Sequence, residues 1–263
     1  MRMKIMIMLA ALTMGFGLRY ERQTDLNDGN NFDPRFGFAY SLGRSTVIRG
    51  GSGTFHQRFN LFQVRELIRL DGTRQRTLTI GNPSYPDPFL GGDGGVVSVP
   101  SSVSVGAEDL ANPYTWNNEL SIETTFSQGL VLTGSYRFVR GIHLHRTRNL
   151  NAPLDITSSV ARSCRPEHLT KPDEFGNPAT CVRPDPTRGD IEQLESTGVS
   201  NNHNLRVGFR QRFTTINING NYNLSSNYSD VSSGFGGGRH YGRRGGSRGP
   251  ADNYDLDSEW GRF

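Results

Sequence analysis

Nowhere does the chain hold a run of about 18 apolar residues, the least from which a membrane-crossing helix is built. Apolar residues make up only 34% of its 263 positions and the mean hydropathy is −0.55. An ordinary cytosolic enzyme needs a larger aliphatic core than that. There are two Cys and two Trp, and the five Met all fall within the first fourteen residues. Neither sign of charge dominates, with 29 basic against 25 acidic residues, net +4 and a pI near 9.3. In contrast, the chain carries 32 Gly, 15 Phe and 9 Tyr, too many aromatics for a polypeptide meant to stay unfolded. Strands with a single apolar face, as in a transmembrane β-barrel, have this composition.

Period-two alternation recurs along the chain, and it is the signature of strands. In Leu12–Arg22, Leu12, Met14, Phe16, Leu18 and Tyr20 oppose Thr13, Gly15, Gly17, Arg19 and Glu21. In Phe32–Gly43, Phe36, Phe38, Tyr40 and Leu42 oppose Arg35, Gly37, Ala39 and Ser41. Thr46–Arg58 is weaker, with Ile48 and Phe55 on opposite faces and Arg49 on the polar one. Trp116–Phe126 sets Trp116, Leu120, Ile122 and Phe126 against Asn117, Glu119, Ser121 and, further on, Glu123 and Thr125. Leu130–Arg140 carries Arg137 on its polar side, and Leu205–Phe213 carries Arg206, Arg210 and Arg212. Ile216–Leu224 is the clearest, with Ile216, Ile218, Tyr222 and Leu224 opposing Asn217, Asn219, Asn221 and Asn223. No globular core takes so many Arg and Asn on its second face; a wet lumen does.

These runs of about 9 to 13 residues match tilted strands crossing an apolar layer, whereas globular strands average about 5 or 6. The links between them alternate. Leu42–Thr46, Phe126–Gly129 and Phe213–Thr215 are tight, whereas Arg58–Thr115 and Arg140–His203 are roughly 60 residues each and Arg22–Phe32 is intermediate. Short turns at one end and long loops at the other mark outer-membrane barrels; a soluble β-sandwich has no reason to alternate so strictly. The expected fold is therefore all-β, an antiparallel transmembrane β-barrel portion of about seven or eight strands with long extracellular loops. An eighth strand is expected to begin near Tyr254–Phe263. Seven strands cannot close neatly, so the chain reads as a barrel fragment, an open curved sheet in isolation. Residues 1–11 read as leader-like or as the remnant of a truncated upstream region, and 12–263 as the partial barrel, with long loops at 59–114, 141–202 and 227–253.

Other features carry less. Cys164 and Cys181 stand 17 positions apart in a polar loop, which predicts a disulfide and an oxidising compartment; two separate buried thiols are the alternative. Phe235–Gly249 resembles an RGG tract, but an aromatic-spaced segment follows it, and a loop between strands is the favoured reading over RNA binding through Arg239–Arg248. Gly91–Gly95 lacks a following helix and a P-loop lysine. His143 and His145 stand two apart on a predicted strand and share a face, without further ligands spaced to complete a metal site. Glu119 and Glu123 are about 13 Å apart on one face, too far for a catalytic carboxylate pair. Nothing resembles a nucleophile–base pair, and neither an enzyme nor a cofactor is expected.

Several segments resemble the barrel of TonB-dependent outer-membrane receptors, and among these the Oar-like group. They are LTMGFGLRYE (Leu12–Glu21), NFDPRFGFAY (Asn31–Tyr40), TVIRGGSGTFHQRF (Thr46–Phe59) and NPSYPDPF (Asn82–Phe89). NPYTWNNELSIE (Asn112–Glu123), GSYRFVRGIHLHRTRNLNAP (Gly134–Pro153) and NYDLDSEWGRF (Asn253–Phe263) follow in the same order. The resemblance implies a complete receptor with a carboxypeptidase-regulatory-like domain, a plug, a TonB-contacting segment and about 22 strands. It also implies a place in the outer membrane of a Gram-negative bacterium and nutrient uptake by the parent protein, the plug and TonB-contacting segment being missing here. The alternative is a surface adhesion or assembly protein that uses the long loops without transport. Expected partners are outer-membrane lipid, the TonB complex for the full-length parent, and a solute of unknown class; nucleic acid is not expected. The candidate lumen-facing residues are Arg19, Glu21, Arg35, Arg49, Glu119, Glu123, Arg137, Arg206, Arg210, Arg212, Asn217, Asn219 and Asn221.

Overall fold

A computed structural model describes residues 2–8, 11–24, 26–75, 77–78, 85–87, 101–126, 129–156, 158–164, 181–231, 250 and 252–262. In chain order these form β1 (Arg2–Met8), β2 (Leu12–Glu21), β3 (Asn31–Leu42), β4 (Thr46–His56), α1 (Leu61–Arg69), β5 (Thr77–Leu78) and β6 (Ser101–Gly106). There follow β7 (Tyr114–Thr125), β8 (Leu130–Asn149), β9 (Leu154–Asp155), β10 (Cys181–Val182), β11 (Ile191–Arg212), β12 (Asn217–Ser229) and β13 (Gly261–Arg262). One sheet runs in the order β1-β2-β3-β4-β7-β8-β11-β12-β13, every neighbour antiparallel. It does not close on itself, since β1 and β13 end the order. The links at 43–45, 126–129 and 213–216 lie at one end, and those at 22–30, 57–113, 150–190 and 230–260 at the other. Gly43 (φ 74°) and Gly129 (φ 78°) take the left-handed backbone that two of the tight turns require.

Direct cross-strand partners share a face, so the register shows how the alternation sums. Leu18, Pro34 and Met3 stand in one row, and Phe16, Phe36 and Ile5 in the next. Further round the sheet, Leu120, Tyr136, Leu205 and Leu224 line up on the same side. That apolar face is not covered by any other part of the described chain: Phe32, Leu120, Val207 and Leu224 each expose more than half of their surface. Monomeric soluble proteins rarely expose contiguous apolar patches beyond a few hundred Å². Where the apolar face carries small residues, aromatic rings fill in, Phe38 lying over Gly50 and Phe209 over Gly220, each directly opposite in register.

The apolar residues that are buried lie elsewhere. Phe59, Leu70, Leu144, Ala152, Leu194 and Val231 are all at the loop end. There β6 pairs in parallel with Ile191–Leu194 of β11, taking the place beside β11 that β12 occupies lower down. With α1 and the described residues of the link 150–190 (150–156, 158–164 and 181–190), this makes a cap over the loop end of the sheet.

The structure corrects the expected boundaries. The leader-like stretch forms β1, paired with Thr13–Arg19 as a further strand of the sheet. Both ends of the loop expected at 141–202 are strand: β8 runs on to Asn149 and β11 begins at Ile191, leaving a link at 150–190. At about 3.3 Å per residue these strands reach some 65–75 Å, far beyond the ~9–11 residues that cross a membrane. They stop alternating beyond Arg140 because their outer halves pair with each other outside the apolar layer, around register shifts at Gly198. The loop expected at 59–114 contains α1, β5 and β6, and β12 continues to Ser229, inside the loop expected at 227–253. Among the described residues of Tyr254–Phe263, only Gly261–Arg262 form a strand, preceded by a short 3-10 turn at Asp257–Glu259.

Candidate functional site

The residues that the sequence groups as a polar wall do share one face of the sheet. Glu119 stands opposite Arg137, Arg137 opposite Asn204, and Arg206 opposite Asn223. Arg210 pairs with Asn219, Arg212 with Asn217, and Asn221 with Gly208. Arg49 faces Ala39 and Ser121, Glu123 faces Val47 and Thr133, Arg35 faces Gly17 and Gly53, and Arg19 and Glu21 face Asp33 and Asn31.

This face has two electrostatic halves. On β2–β4 and β7 the charges are matched: Arg19 with Glu21, Arg49 with Glu123 at 3.9 Å, and Arg35 with Asp33 at 3.8 Å. The exposed Arg49–Glu123 pair contributes only ~0–1 kcal/mol, and all three pairs cancel local field. On β11, Arg206, Arg210 and Arg212 have no ion-pair partner among the described residues, and a ladder of asparagines lies across from them. Positive potential therefore concentrates on β11 and β12. Glycine makes room on the matched half. A methyl group on Gly53 would lie 3.0 Å from Arg35 Cγ, and the Arg35 guanidinium packs 4.2 Å over the Phe55 ring.

At the loop end the wall meets the cap through groups that the alternation pattern does not reveal. Asp33 is 1% exposed and its Oδ1 accepts the His56 backbone N–H at 2.9 Å, with His56 Nδ1 2.7 Å away. Gln23 Oε1 and Asn112 Oδ1 both accept the Phe59 N–H, tying the link at 22–30 to the link at 57–113. Arg146 lies between Glu195 (Nε–Oε1 2.8 Å) and Asp230 (Nη1–Oδ2 3.3 Å), and Arg148 reaches the other Glu195 oxygen at 3.2 Å. Asn151, 1% exposed, donates to the carbonyls of Asp185 and Gly189 and accepts the Asp185 N–H. Cys164 and Cys181 are disulfide-bonded, with Cα atoms 6.0 Å apart.

The histidines do not converge. His143 has a positive φ of 56° near the β8–β11 irregularity, which breaks the alternation that would have put it beside His145. Its ring meets Tyr114, whereas His145 packs edge-on to Phe59 and donates from Nε2 to the Ala111 carbonyl at 3.0 Å. Burial pushes the His145 pKa down, the Ala111 hydrogen bond opposing and nearby His143 adding to the shift. Among the described residues no three His, Cys, Asp or Glu are grouped to hold a metal. The Gly91–Gly95 cluster and the Arg239–Arg248 stretch lie outside the described residues.

Over residues 12–263 the chain matches the family described as outer membrane beta barrel domain. No curated protein sequence matches it. Among solved structures it is similar to the outer membrane transporter YddB from Escherichia coli, with a TM-score of 0.55 at 12% identity over 88% of this chain and 24% of that one. The siderophore receptor PirA from Pseudomonas aeruginosa gives 0.44 at 16% identity, over 87% of this chain and 35% of that one. The FrpB iron transporter from Neisseria meningitidis gives 0.49 at 12% identity, over 87% and 25%. The chain thus spans about a quarter to a third of the length of these proteins. An apolar face left bare around a wall of polar ladders is what a bilayer-spanning sheet must present, and with the match over residues 12–263 it places the chain in the outer membrane beta barrel domain family, in the outer membrane of a Gram-negative bacterium.

Proposed function

We propose that this chain forms part of the barrel wall of a TonB-dependent, Oar-like receptor that takes up a solute across the outer membrane, its polar face lining the lumen. The carrying observation is the segregation of side chains by register: Arg19, Glu21, Arg35, Arg49, Glu119, Glu123 and Arg137 share one face with Arg206, Arg210, Arg212, Asn217, Asn219 and Asn221, while the opposite face is apolar and bare. Sharing a fold with an outer membrane transporter supports solute passage along this wall. In the complete receptor the sheet edges pair with further strands, because an open edge in hydrocarbon leaves backbone groups unsatisfied. Coupling to TonB belongs to that complete receptor. Arg206, Arg210 and Arg212, facing asparagines rather than carboxylates, favour an anionic or carbohydrate-like solute.

Single cysteines test the lumen assignment, since the native pair is already disulfide-bonded. In the membrane-embedded protein, Arg210→Cys and Asn219→Cys are expected to react with a charged, membrane-impermeant maleimide. Val207→Cys and Tyr222→Cys, opposite each other on the apolar face, are expected to stay unlabelled. Equal labelling on both faces overturns the lumen reading. Slower uptake of an anionic solute by the complete receptor carrying Gln at 206, 210 and 212 would support the solute class, and unchanged uptake would remove it.

A further inference from the structure

The apolar face stays free of charge for most of its height. On β7, β8, β11 and β12 it is made of Leu120, Ile122, Leu132, Tyr136, Leu205, Val207 and Leu224 and their neighbours. On this face Arg140 is the first charged residue met along β8 toward the loops, two residues beyond Phe138. It stands in register with Trp116 on one side and Asn201 on the other; Asn201 pairs with Tyr228, and Tyr228 with Arg262. Trp260 stacks on Tyr228, with ring centroids 6.2 Å apart and planes 11° from parallel. One row on the outward face thus carries two arginines framed by aromatic rings. Both are exposed and have no ion-pair partner among the described residues, unlike Arg19, Arg35 and Arg49 on the other face.

Followed the other way, the same row turns apolar, from Trp116 through Thr54 to Pro34, Leu18 and Met3. Barrel strands tilt by ~35–45°, so a row at right angles to them runs obliquely to the membrane plane. A change from apolar to cationic along it is what a line leaving the hydrocarbon for the headgroups gives. On the apolar part lies a groove of about 360 Å³, lined by Met3, Ile5, Phe16, Leu18, Phe36 and Trp116. It ends at Trp116, one strand spacing of ~5 Å from Arg140.

We propose that this row is a docking site for a phosphate-bearing lipid of the outer leaflet, a glycolipid of the lipopolysaccharide type. Its phosphates pair with Arg140 and Arg262, and an acyl chain lies in the groove beside Trp116. A guanidinium presents a planar fork to phosphate oxygens, and aromatic rings at headgroup depth hold a lipid by its interfacial region. The site lies at the loop end, hence toward the outer leaflet. It requires the apolar face to meet lipid, as family membership gives, and is independent of whether the polar face conducts a solute.

The only two tryptophans of the chain, Trp116 and Trp260, flank the row, so intrinsic fluorescence reads it directly. In the full chain reconstituted in zwitterionic lipid, titration with lipopolysaccharide should give a saturable emission shift. At ~1 kcal/mol per basic residue near a charged lipid surface, Arg140→Gln or Arg262→Gln should weaken it about fivefold, and the double variant about thirtyfold. Arg140→Lys should retain most of the affinity. Arg44→Gln, in the tight turn at the opposite end of the sheet, should leave it unchanged, and circular dichroism should show the same strand content throughout. Undiminished affinity in the double variant overturns the proposal. So does equal binding of dephosphorylated glycolipid, or equally effective competition by inorganic phosphate. Loss of strand content already in zwitterionic lipid would count instead against the lipid-facing assignment itself.

Discussion

The spanning sheet and its loop-end cap bury opposite things. In the sheet, large apolar side chains such as Leu120 (55% exposed) and Leu224 (54%) stand bare on the outward face. In the cap, Phe59 and Ala152 are 3% exposed and Asn151 1%, and Asp33 at the loop end of β3, where the sheet meets the cap, is likewise 1% exposed. The hydrophobic effect acts in both, but the solvent differs. Hydrocarbon around the sheet removes any need for an apolar interior and demands that the backbone satisfy itself, which the antiparallel ladders do between neighbouring strands. The cap meets water on its outside, so it must build an inside. It does so with six buried apolar residues and with buried polar groups that are bonded in turn, Glu195 and Asn151 among them.

The sharpest way to break this contrast is to unbalance the buried charge of the cap. Glu195→Ala leaves Arg148 without its carboxylate and Arg146 with Asp230 alone, at 3.3 Å. Removing one partner of a buried pair costs ~3–5 kcal/mol, because the charge left behind stays desolvated. Amide exchange is expected to accelerate in β6 and in the outer halves of β8 and β11, with the ladders of β2–β4 unaffected. Equal loosening of β2–β4 would mean that cap and sheet are one cooperative unit, and that the contrast has no energetic content.

A neighbouring pair of substitutions probes the sheet. Leu205 and Asn204 are consecutive on β11, the first in register with Tyr136 and Leu224 on the apolar face, the second with Arg137 on the polar one. Leu205→Arg is expected to cost ~2–4 kcal/mol of unfolding free energy in a bilayer, the penalty of an arginine on a lipid-facing barrel position near mid-depth. Asn204→Arg should cost much less, ~1 kcal/mol at most, the repulsion of a like charge directly opposite Arg137. Reversible unfolding from lipid vesicles measures both. Similar costs for the two would abolish the two-sided wall.

Much of the sheet was legible because period-two alternation is local. Leu12–Tyr20 and Ile216–Leu224 declare their faces from their own residues, and the polar wall followed once those faces were aligned by tight turns. The cap was not legible, for physical reasons. The helix α1 hides in a predicted loop, although Leu61, Val64, Leu67 and Ile68 have helical spacing. Outside the bilayer β8 and β11 lose the contrast between lipid and water that makes alternation visible, so GIHLHRTRN and IEQLESTGVSN look like loop. The polar hubs depend on partners far away in sequence, such as Arg146 with Glu195, and Asn151 with Asp185 and Gly189. Asp33 offered one signal, a carboxylate on the otherwise basic and glycine-rich face of NFDPRFGFAY, but its partner His56 is 23 positions away.

The smallest effect expected is a pH dependence confined to the cap. His145 packs against Phe59 and holds the Ala111 carbonyl through its Nε2–H, so the neutral ring with that tautomer already satisfies the site. Burial lowers its pKa below the ordinary histidine value near 6.5. Below that value the unfolded chain takes up a proton that the folded cap refuses, so unfolding is favoured as pH falls. The contribution of His145 is therefore complete above about pH 6.5, declines as the pH drops toward its folded pKa, and declines no further below that. Amide exchange around Phe59, Ala111 and His145 should quicken between pH 7.5 and 5.5 after correction for intrinsic rates, with β2–β4 unchanged. His145→Gln keeps a donor for Ala111 and does not titrate, so it should flatten the pH profile while leaving the exchange at pH 7.5 close to that of the unsubstituted chain. A profile that stays steep in His145→Gln would move the titrating group elsewhere in the cap, and one that steepens in β2–β4 as well would show that protonation reaches the membrane-spanning sheet.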